Sequence, residues 1–273
     1  MDEEQVRRHY QAAEADPLAQ VQRFLAQHSG PISGAELAGL DQFHVRGLAA
    51  TREFIGLLGI DAQMRVLDAG SGLGGPARYV AETHGCRVTG VDLTPGFVAV
   101  ATLLAERTGL AGLVDYRCGD LLALDFPDAQ FDVVYTQHVV MNIADRARLY
   151  GEIARVLKPG GSFGFYDVLA VEGGPAPHYP VPWSDSGATS FLLTDAQTRA
   201  ALAQAGLAPQ VWNDVSAEAI DWFGRQRAAA PASSQTPGLA LVMGARFGEM
   251  SANFARNLAE QRVRLVMGRC IKQ

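Results

Sequence analysis

The sequence predicts an α/β protein in which helices cover both faces of a largely parallel sheet. From residue 64 onward, short β-rich runs such as RVLDAG and RVTGVDLT alternate with helical stretches such as GGPARYVAETHG. The first run leads directly into a loop with four glycines in its six positions, 70 to 75. Alternating strands and helices are typical of parallel sheets covered by helices. A glycine loop after a strand lets backbone N–H groups approach a ligand closely.

The β-rich runs are, in chain order, RVLDAG, RVTGVDLT, VDYRCGDLLAL, FDVVYTQHVV, SFGFYDVLAV, PQVWNDV and VRLVMGRCI. The helical stretches after the first are PGFVAVATLLAERTGL, DRARLYGEIARVL and TDAQTRAALAQAGL, and a turn is predicted at 158–161. Two insertions interrupt this rhythm. The segment near 171–190 is rich in proline and glycine, and the segment near 217–262 is longer than an ordinary connection.

The chain before this region is predicted to be mainly helical. Residues 2 to 28 form helical arms, with a restart at Asp16-Pro17. The glycine-rich and polar stretch from 28 to 47 is predicted to be an ordered loop, and LAATREFIGLLGI an amphipathic helix. We therefore assign residues 1–47 to an N-terminal helical arm or lid and residues 48–273 to the main domain.

Composition and charge exclude several function classes. The net charge is −6 and no cluster of Lys or Arg stands out, which argues against nucleic acid and anionic lipid as partners. No apolar run has the length of a membrane span, and Cys86, Cys118 and Cys270 form no paired pattern, so we predict a cytoplasmic protein. The histidines lack metal-ligand spacing, so no metal site is predicted. Nothing in the sequence predicts an oligomeric state.

Carboxylates follow the predicted strands at their carboxyl ends. The loop alone, with its G-x-G-x-x-G pattern, fits a dinucleotide site, another nucleotide-like cofactor or a simple tight turn. Asp68 lies inside an otherwise apolar strand and needs a polar partner, such as loop N–H groups or an ammonium group of a ligand. Asp92 ends the next strand, where a ribose carboxylate is expected, and Asp120 follows the third strand, where it can accept from an adenine amine.

Five motifs in order, VLDAGSGLGG, GVDLT, GDLLAL, FDVVYTQHVVMNI and RVLKPGGSF, resemble those of class I S-adenosylmethionine-dependent methyltransferases. The resemblance covers roughly residues 40 to 215. Within this class the chain is similar to small-molecule enzymes, such as sarcosine/dimethylglycine N-methyltransferases and tocopherol-type C-methyltransferases. The resemblance implies a doubly wound, Rossmann-like, seven-stranded sheet whose last strand, VRLVMGRCI, is reversed.

The resemblance also implies S-adenosylmethionine as cofactor and a role for each matching position. Asp68, Gly70, Ser71 and Gly72 would hold its amino acid part. Asp92 would bind the ribose hydroxyls, with Leu93 beside the adenine, and Asp120 and Leu121 would hold the adenine. Gln137 and His138 would lie where the reactive methyl is expected.

Candidate catalytic and acceptor-binding residues lie near this end of the sheet. His138 is the candidate base, with a hydrogen bond near the cofactor as the alternative role, and Tyr166, expected at the end of the fifth strand and near the cleft, is the second catalytic candidate. The candidate substrate-binding residues are Tyr10, His44, Asn142, His178, Tyr179 and Trp183. Each has a structural alternative: loop or helix packing for the rings and histidines, and a cap of the helix starting near residue 144 for Asn142.

The sequence therefore predicts a methyltransferase acting on a small-molecule acceptor, with nitrogen slightly favoured over oxygen and carbon. An NAD(P)-dependent oxidoreductase is one alternative, although no Tyr-x-x-x-Lys pair is present. A non-methylating, cyclase-like member of the same fold is the other. The residues after the fourth strand, Gln137 to Val140, lack the Asn/Asp-Pro-Pro-aromatic motif of enzymes that methylate nucleic acid bases.

Overall fold

A computed structural model describes residues 17–27, 30, 32–228, 239 and 243–273. Seven strands form one sheet in the order β3-β2-β1-β4-β5-β7-β6. The strands are β1 (Arg65–Ala69), β2 (Arg87–Asp92), β3 (Val114–Cys118), β4 (Phe131–Gln137), β5 (Leu157–Ala170), β6 (Leu207–Asp214) and β7 (Val263–Lys272). Strands β1 to β5 pair in parallel, and β7 runs antiparallel to both β5 and β6. The predicted sheet with a reversed last strand is confirmed.

Helices flank the sheet and precede it. They are α1 (Pro17–Ala26), α2 (Gly34–Asp41), α3 (Gly47–Gly56), α4 (Gly75–His84), α5 (Pro95–Arg107), α6 (Arg146–Val156), α7 (Asp195–Gln204), α8 (Ser216–Ala228) and α9 (Phe247–Ala259). Short 3-10 turns lie at Val140–Asn142 and Gly187–Thr189. None of the helices in the described ranges is long and apolar enough to cross a bilayer.

Alternating residues of the central strands fill two separate cores. Val66 of β1 lies beside Val88 of β2 and Val133 of β4, and all three belong to the core on one face. Leu67 and Val134, one position further along, belong to the core on the other face. Both faces of a doubly wound sheet are covered, so these strands are apolar throughout. Asp68 is therefore an exception that needs a separate reason.

The prediction of a loop from 28 to 47 is wrong for part of its length, because α2 occupies Gly34–Asp41. Ser33 caps this helix and forms a capping box with Glu36, which satisfies the first N–H groups. Leu37 and Leu40 are fully buried against α1 and α5. The glycines that suggested a loop are outweighed by this cap and by tertiary burial.

The turn predicted at 158–161 lies inside β5. Phe131 of β4 pairs with Leu157, while Val133 pairs with Ser162, so three extra residues are inserted into the β5 side of the pairing. The strand thus begins before the proline and glycines and continues to Ala170. This irregularity lies at the amino ends of the strands, opposite the predicted site.

Candidate functional site

A cavity of about 290 Å³ lies at the carboxyl ends of β1 to β4. Its walls include most of the predicted site residues: Asp68, Gly70, Ser71, Gly72, Asp92, Leu93, Asp120, Leu121, Gln137, His138, His44, Asn142 and Trp183. The crossovers after β1 and β4 run to opposite sides of the sheet, which opens a crevice at this point of the topology. The fold therefore collects into one cavity residues that are scattered over the sequence.

The glycine loop touches the loop after β4. Gly70 has φ +92, and a Cβ at this position would lie 2.3 Å from Cγ2 of Val139. Gly74 has φ +75, and a Cβ there would lie 2.3 Å from the hydroxyl oxygen of Tyr116. Glycine is required at both positions for the backbone angle and for space. The close approach leaves the backbone of this loop exposed to the cavity.

Asp92 connects the glycine loop to the end of β2. One carboxylate oxygen accepts the N–H of Gly72 at 2.9 Å, and the other accepts the N–H of Thr94 at 2.9 Å. Burial raises the pKa of Asp92, although these backbone donors oppose the rise. Each carboxylate oxygen keeps a second lone pair for a ligand donor. Asp92 thus orders the loop and still has capacity to bind hydroxyl groups.

Asp68 is buried without enough polar partners. Its exposed fraction is 2%, and among the described residues its Oδ2 atom has no hydrogen-bond partner. Burial raises the pKa of Asp68 to about 7; the nearby Tyr135 hydroxyl opposes the rise, and the Asp92 charge adds to it. A buried carboxyl that lacks partners is destabilising unless a ligand supplies one. The group fits a cationic ligand group such as an ammonium.

The adenine side of the predicted site is formed after β3. Oδ1 of Asp120 accepts the N–H of Leu122 at 2.9 Å, which fixes the carboxylate at the start of this loop. Leu93 and Leu121 line the cavity with their apolar side chains. A flat aromatic group between such side chains, with an acceptor at its edge, is a suitable environment for an adenine ring.

His138 lies in a strained position immediately after β4. Its backbone has φ +54, and its N–H donates to the carbonyl of Tyr166 at 2.7 Å. Its Nε2 atom and both side-chain polar atoms of Gln137 are buried without a partner in the described part of the chain. Burial lowers the pKa of His138 well below its usual value, with a smaller contribution from His44. Strained residues with unpaired polar atoms are found preferentially at functional sites.

Asp167 of β5 holds this strained loop in place. Its Oδ1 atom accepts the N–H groups of Val139 and Val140 at 3.1 and 3.3 Å. Burial raises the pKa of Asp167 to about 7, opposed by the nearby Arg146 charge. Arg146 in turn donates to the carbonyls of Val140 and, at 2.7 Å, Phe191. The two charged groups therefore fix the loop that carries His138.

Tyr166 and His44 surround the ring of His138. Tyr166 is buried outside the cavity lining, with its ring centroid 4.8 Å from that of His138 and its hydroxyl donating to Val45 O at 3.1 Å. His44 lines the cavity, and its ring lies 6.0 Å from that of His138. His44 Nε2 lies 3.1 Å from the carbonyl of Gly47, which places the ring proton on Nε2. Burial lowers the pKa of His44 to about 4.

Asn142 and Trp183 form one wall of the cavity. The side-chain amide of Asn142 donates to the carbonyls of Trp183 at 2.7 Å and Thr189 at 3.1 Å. The cap of α6 is instead Asp145, so the alternative of an Asn142 cap is wrong. Trp183 is 2% exposed, and its indole N–H donates to Ser190 at 2.9 Å. Asn142 therefore fastens the insertion that places Trp183 in the wall.

Two other predicted acceptor residues lie outside the cavity lining. Nε2 of His178 pairs with Glu260 at 2.7 Å, and its backbone N–H donates to Asn257 at 2.7 Å. Tyr179 packs against the core on one face of the sheet. Tyr10 lies outside the described residues. The predicted roles of these three residues in acceptor binding stay predictions.

Several lining residues were not predicted from the sequence. Asp41 lines the cavity and pairs with the buried Arg78 of α4 at 2.5 Å, and burial raises the pKa of Asp41 to about 6. Phe43 comes from the segment after α2, while Met243 and Phe247 come from the long insertion. The ion pair joins residues 37 positions apart, so no local pattern reveals it. Within the described ranges, no group of His, Cys, Asp or Glu has a metal-binding arrangement.

The chain is similar to known methyltransferases. Residues 67–165 match the model of a family described as a methyltransferase domain. The chain is similar to sterol 24-C-methyltransferase erg-4 of Neurospora crassa, with 41% identity over 42% of this chain and 30% of that protein. It is also similar to phosphoethanolamine N-methyltransferase 3 of Arabidopsis thaliana, with 30% identity over 63% of this chain and 36% of that protein. The chain thus spans about a third of the length of these relatives.

Two solved structures have a similar fold. Geranyl diphosphate C-methyltransferase from Streptomyces coelicolor A3(2) matches with a TM-score of 0.69, 17% identity, and coverage of 82% of this chain and 79% of that one. The [4+2]-cyclase SpnF matches with a TM-score of 0.66, 25% identity, and coverage of 94% of this chain and 93% of that one. The cyclase therefore matches nearly the whole length of both chains.

Proposed function

We propose that this chain, whose residues 67–165 match a methyltransferase-domain family, is an S-adenosylmethionine-dependent methyltransferase that transfers a methyl group to a small-molecule acceptor. The main observation behind the proposal is that the glycine loop, the carboxylates Asp68, Asp92 and Asp120, and His138 all line the same cavity. A site with both a cofactor half and an unpaired polar group at its far end suits group transfer.

The residues present fit the cofactor. Asp68, with its unpaired buried oxygen, suits the ammonium group, and Gly70 and Gly72 line the cavity beside it, with their N–H groups already donating to Val91 and Asp92. Asp92 has free lone pairs for the ribose hydroxyls. Asp120 and Leu121 suit the adenine edge and face. When bound, the cofactor supplies an electrophilic methyl on a sulfonium sulfur.

The role of the protein is then to orient the acceptor and to exclude water. Methyl transfer is an in-line displacement, so a fixed approach of the acceptor atom lowers the barrier. Val139, Met141 and Trp183 provide an apolar wall near His138. His138 is available to hydrogen-bond the acceptor at its unpaired Nε2 atom. Tyr166 acts as a positioning residue, because it packs against the His138 ring from outside the cavity.

The lowered pKa of His138 favours nitrogen as the acceptor atom. A histidine whose conjugate acid is strongly acidic is a weak proton acceptor, and a phenol, alcohol or carbon acid needs a good one. A neutral amine attacks without prior deprotonation by the enzyme. An amine in a low-dielectric cavity is also shifted toward its neutral form. We therefore propose that an amine nitrogen is methylated.

A melting experiment tests the cofactor half of the proposal. At a hundredfold excess over the dissociation constant, S-adenosylmethionine or its demethylated product should stabilise the protein by roughly 2.7 kcal/mol. For a chain of this length that corresponds to a rise of about 5–10 °C. A rise with NAD in place of these two compounds would support the oxidoreductase alternative. Assays of methyl transfer to an amine panel and a phenol panel then test the acceptor atom, and activity on phenols alone would contradict the nitrogen proposal.

A cyclase-like function is the second candidate. It is favoured by the structural similarity to SpnF over 94% of this chain, compared with 82% for the geranyl diphosphate C-methyltransferase. In this case the fold would hold the cofactor without consuming it, and the apolar wall would shape a reacting ligand. Stoichiometric binding of S-adenosylmethionine with no demethylated product for any acceptor would favour this function over methyl transfer.

A further inference from the structure

We infer that the acceptor is an unphosphorylated, largely apolar molecule with a single uncharged polar group at the His138 end of the cavity. This inference rests on the proposed function and narrows its acceptor class. The similar proteins include enzymes named for a sterol, for phosphoethanolamine and for geranyl diphosphate, which differ greatly in charge. The charges of the residues that line this cavity indicate which of these classes of molecule it can bind.

Apolar side chains make up a large part of the cavity wall. Besides Val139 next to His138, they include Met141, Ile143, Trp183, Met243 and Phe247. These side chains come from the loop after β4 and from the two insertions, so the apolar surface is contributed by several separate segments. Burial of hydrocarbon against such a surface is favourable at roughly 25 cal/mol per Å². The wall suits a hydrocarbon ring or chain as the main part of the acceptor.

Within the described ranges, no lysine or arginine lines this cavity. The charged lining residues are Asp41, Asp68, Asp92 and Asp120, and all four are acidic. Among the described lining residues, a phosphate group would meet carboxylates and no cationic side chain. An anion buried without a partner loses its hydration and gains nothing in exchange. The cavity therefore disfavours phosphate and diphosphate esters.

The nearby buried arginines are already bonded. Arg78 pairs with Asp41 at 2.5 Å and donates to the carbonyl of Leu73 at 2.9 Å. Arg146 donates to the carbonyls of Val140 and Phe191. Releasing either guanidinium to bind a phosphate would leave other buried groups unpaired.

The two lysines lie at the opposite end of the strands from the cavity. Lys158, at the start of β5, pairs with Asp132 at 2.6 Å. Lys272, at the end of the reversed strand β7, donates to Leu157 O at 2.7 Å. Both lie near the amino ends of β4 and β5, whereas the cavity lies at the carboxyl ends.

The remaining polar atoms suit one neutral group. Backbone N–H groups of Val139 and Val140, which could otherwise bind an anion, are taken by Asp167. Apart from Asp41, Asp68 and Ser71 near the proposed cofactor half, the unpaired buried polar atoms of the described lining residues are Nε2 of His138 and the side-chain amide of Gln137, which are uncharged. A neutral amine or hydroxyl can both donate to and accept from such atoms. This is the polar group that we infer in the acceptor.

The test compares ligands that share one carbon skeleton. The full chain, saturated with S-adenosylhomocysteine, is titrated calorimetrically with geranylamine, geraniol and geranyl diphosphate. We expect the first two to bind at least about tenfold tighter than the diphosphate, because an unpaired buried anion is strongly disfavoured. Ile143→Arg should reverse this order by adding a cation to the wall, whereas Ile143→Gln, the matched uncharged control, should not.

The outcomes distinguish a failure of this inference from a failure of the proposed function. If S-adenosylhomocysteine binds and the diphosphate binds as tightly as geraniol, the inference is overturned while the proposed function stands. Binding of none of the three probes to the S-adenosylhomocysteine complex also overturns the inference. If S-adenosylhomocysteine itself fails to bind, the proposed function fails, and the inference fails with it.

Discussion

Gly70 and Val139 are in direct contact in the cavity wall: a Cβ atom on Gly70 would lie 2.3 Å from Cγ2 of Val139. The two residues belong to the loops after β1 and β4, which come from neighbouring strands of the sheet. The spacing of the two cavity halves therefore depends on the absence of a side chain at position 70. A methyl group there would push the loop that carries His138 away from the glycine loop.

Gly70→Ala should lower both stability and cofactor affinity. The change adds the clash with Val139 to the cost of a positive φ, which is about 1–2 kcal/mol for a non-glycine residue. The matched control is Gly72→Ala, where φ is also positive but the nearest atom, on Phe43, would lie 3.8 Å away. Denaturant unfolding should show a larger loss for Gly70→Ala. Equal losses would mean that the contact with Val139 is relaxed at no cost.

Asp92→Ala should weaken binding of S-adenosylhomocysteine. It removes the acceptor of the Gly72 and Thr94 N–H groups together with the proposed ribose partner, and a hydrogen bond to a charged group contributes roughly 1.5–3 kcal/mol. Calorimetric titration measures the loss. Asp125→Ala, at an exposed carboxylate near the β3 loop, is the control and should bind as the unchanged chain does. An unaltered dissociation constant for Asp92→Ala would remove Asp92 from the cofactor site.

Cofactor binding should depend on pH through Asp68. The pKa of its carboxyl is raised to about 7 in the cofactor-free protein, and an ammonium partner would lower it. The bound form needs the carboxylate, so affinity should fall as the pH drops below about 7, by up to tenfold per pH unit. Binding should therefore release a proton, which titrations in buffers of different ionisation enthalpy detect.

Asp68→Asn provides the control for this pH effect. Asparagine keeps the size and an oxygen acceptor but has no proton to release. The variant should bind more weakly at pH 8 and should lose most of the pH dependence. Asp92, whose pKa is also raised, would account for any dependence that remains. A pH dependence unchanged by Asp68→Asn would contradict the pairing of Asp68 with the ammonium group.

His138→Asn should reduce turnover and leave cofactor affinity nearly unchanged. Asparagine tolerates the positive φ of this position but cannot place a nitrogen where Nε2 lies. Loss of one buried hydrogen bond of about 1–3 kcal/mol corresponds to a decrease of roughly 5- to 150-fold. His84→Asn, at the end of α4 and outside the cavity lining, is the control. If His138→Asn turns over acceptor at the original rate, His138 makes no contact that matters for transfer.

The sequence predicts the part of the site that depends on short-range patterns. Asp68, Asp92 and Asp120 each lie at or near the carboxyl end of a strand within a recognisable motif, so their meeting at one end of the sheet is implied by parallel strands. The pair of Asp41 and Arg78 joins α2 to α4, and no spacing within either segment indicates it. Likewise, Phe247 reaches the cavity from an insertion without a strand pattern. Contacts of this kind are fixed by tertiary packing alone.

The sequence does not predict helix α2, for the same physical reason. The S-x-x-E pattern of its capping box, Ser33 and Glu36, is visible in the sequence. Two glycines in the same stretch favour a loop, and their cost in a helix is roughly 1 kcal/mol each. Complete burial of Leu37 and Leu40 outweighs this cost, and burial is a property of the folded chain.

Asp167→Ala should destabilise the protein and reduce turnover together, whereas Asp167→Asn should retain much of both. Alanine leaves the N–H groups of Val139 and Val140 without an acceptor, and each unpaired buried donor costs about 1–3 kcal/mol. The loop can then relax from the positive φ of His138, which moves the ring away from the cavity. Asparagine keeps an oxygen at the Oδ1 position and, since the pKa of Asp167 is about 7, resembles the protonated form already populated near neutral pH.

Denaturant unfolding and single-turnover methyl transfer measure the two effects. Equal behaviour of the two variants would show that the acid charge of Asp167, and not its contacts with the loop, supports the site.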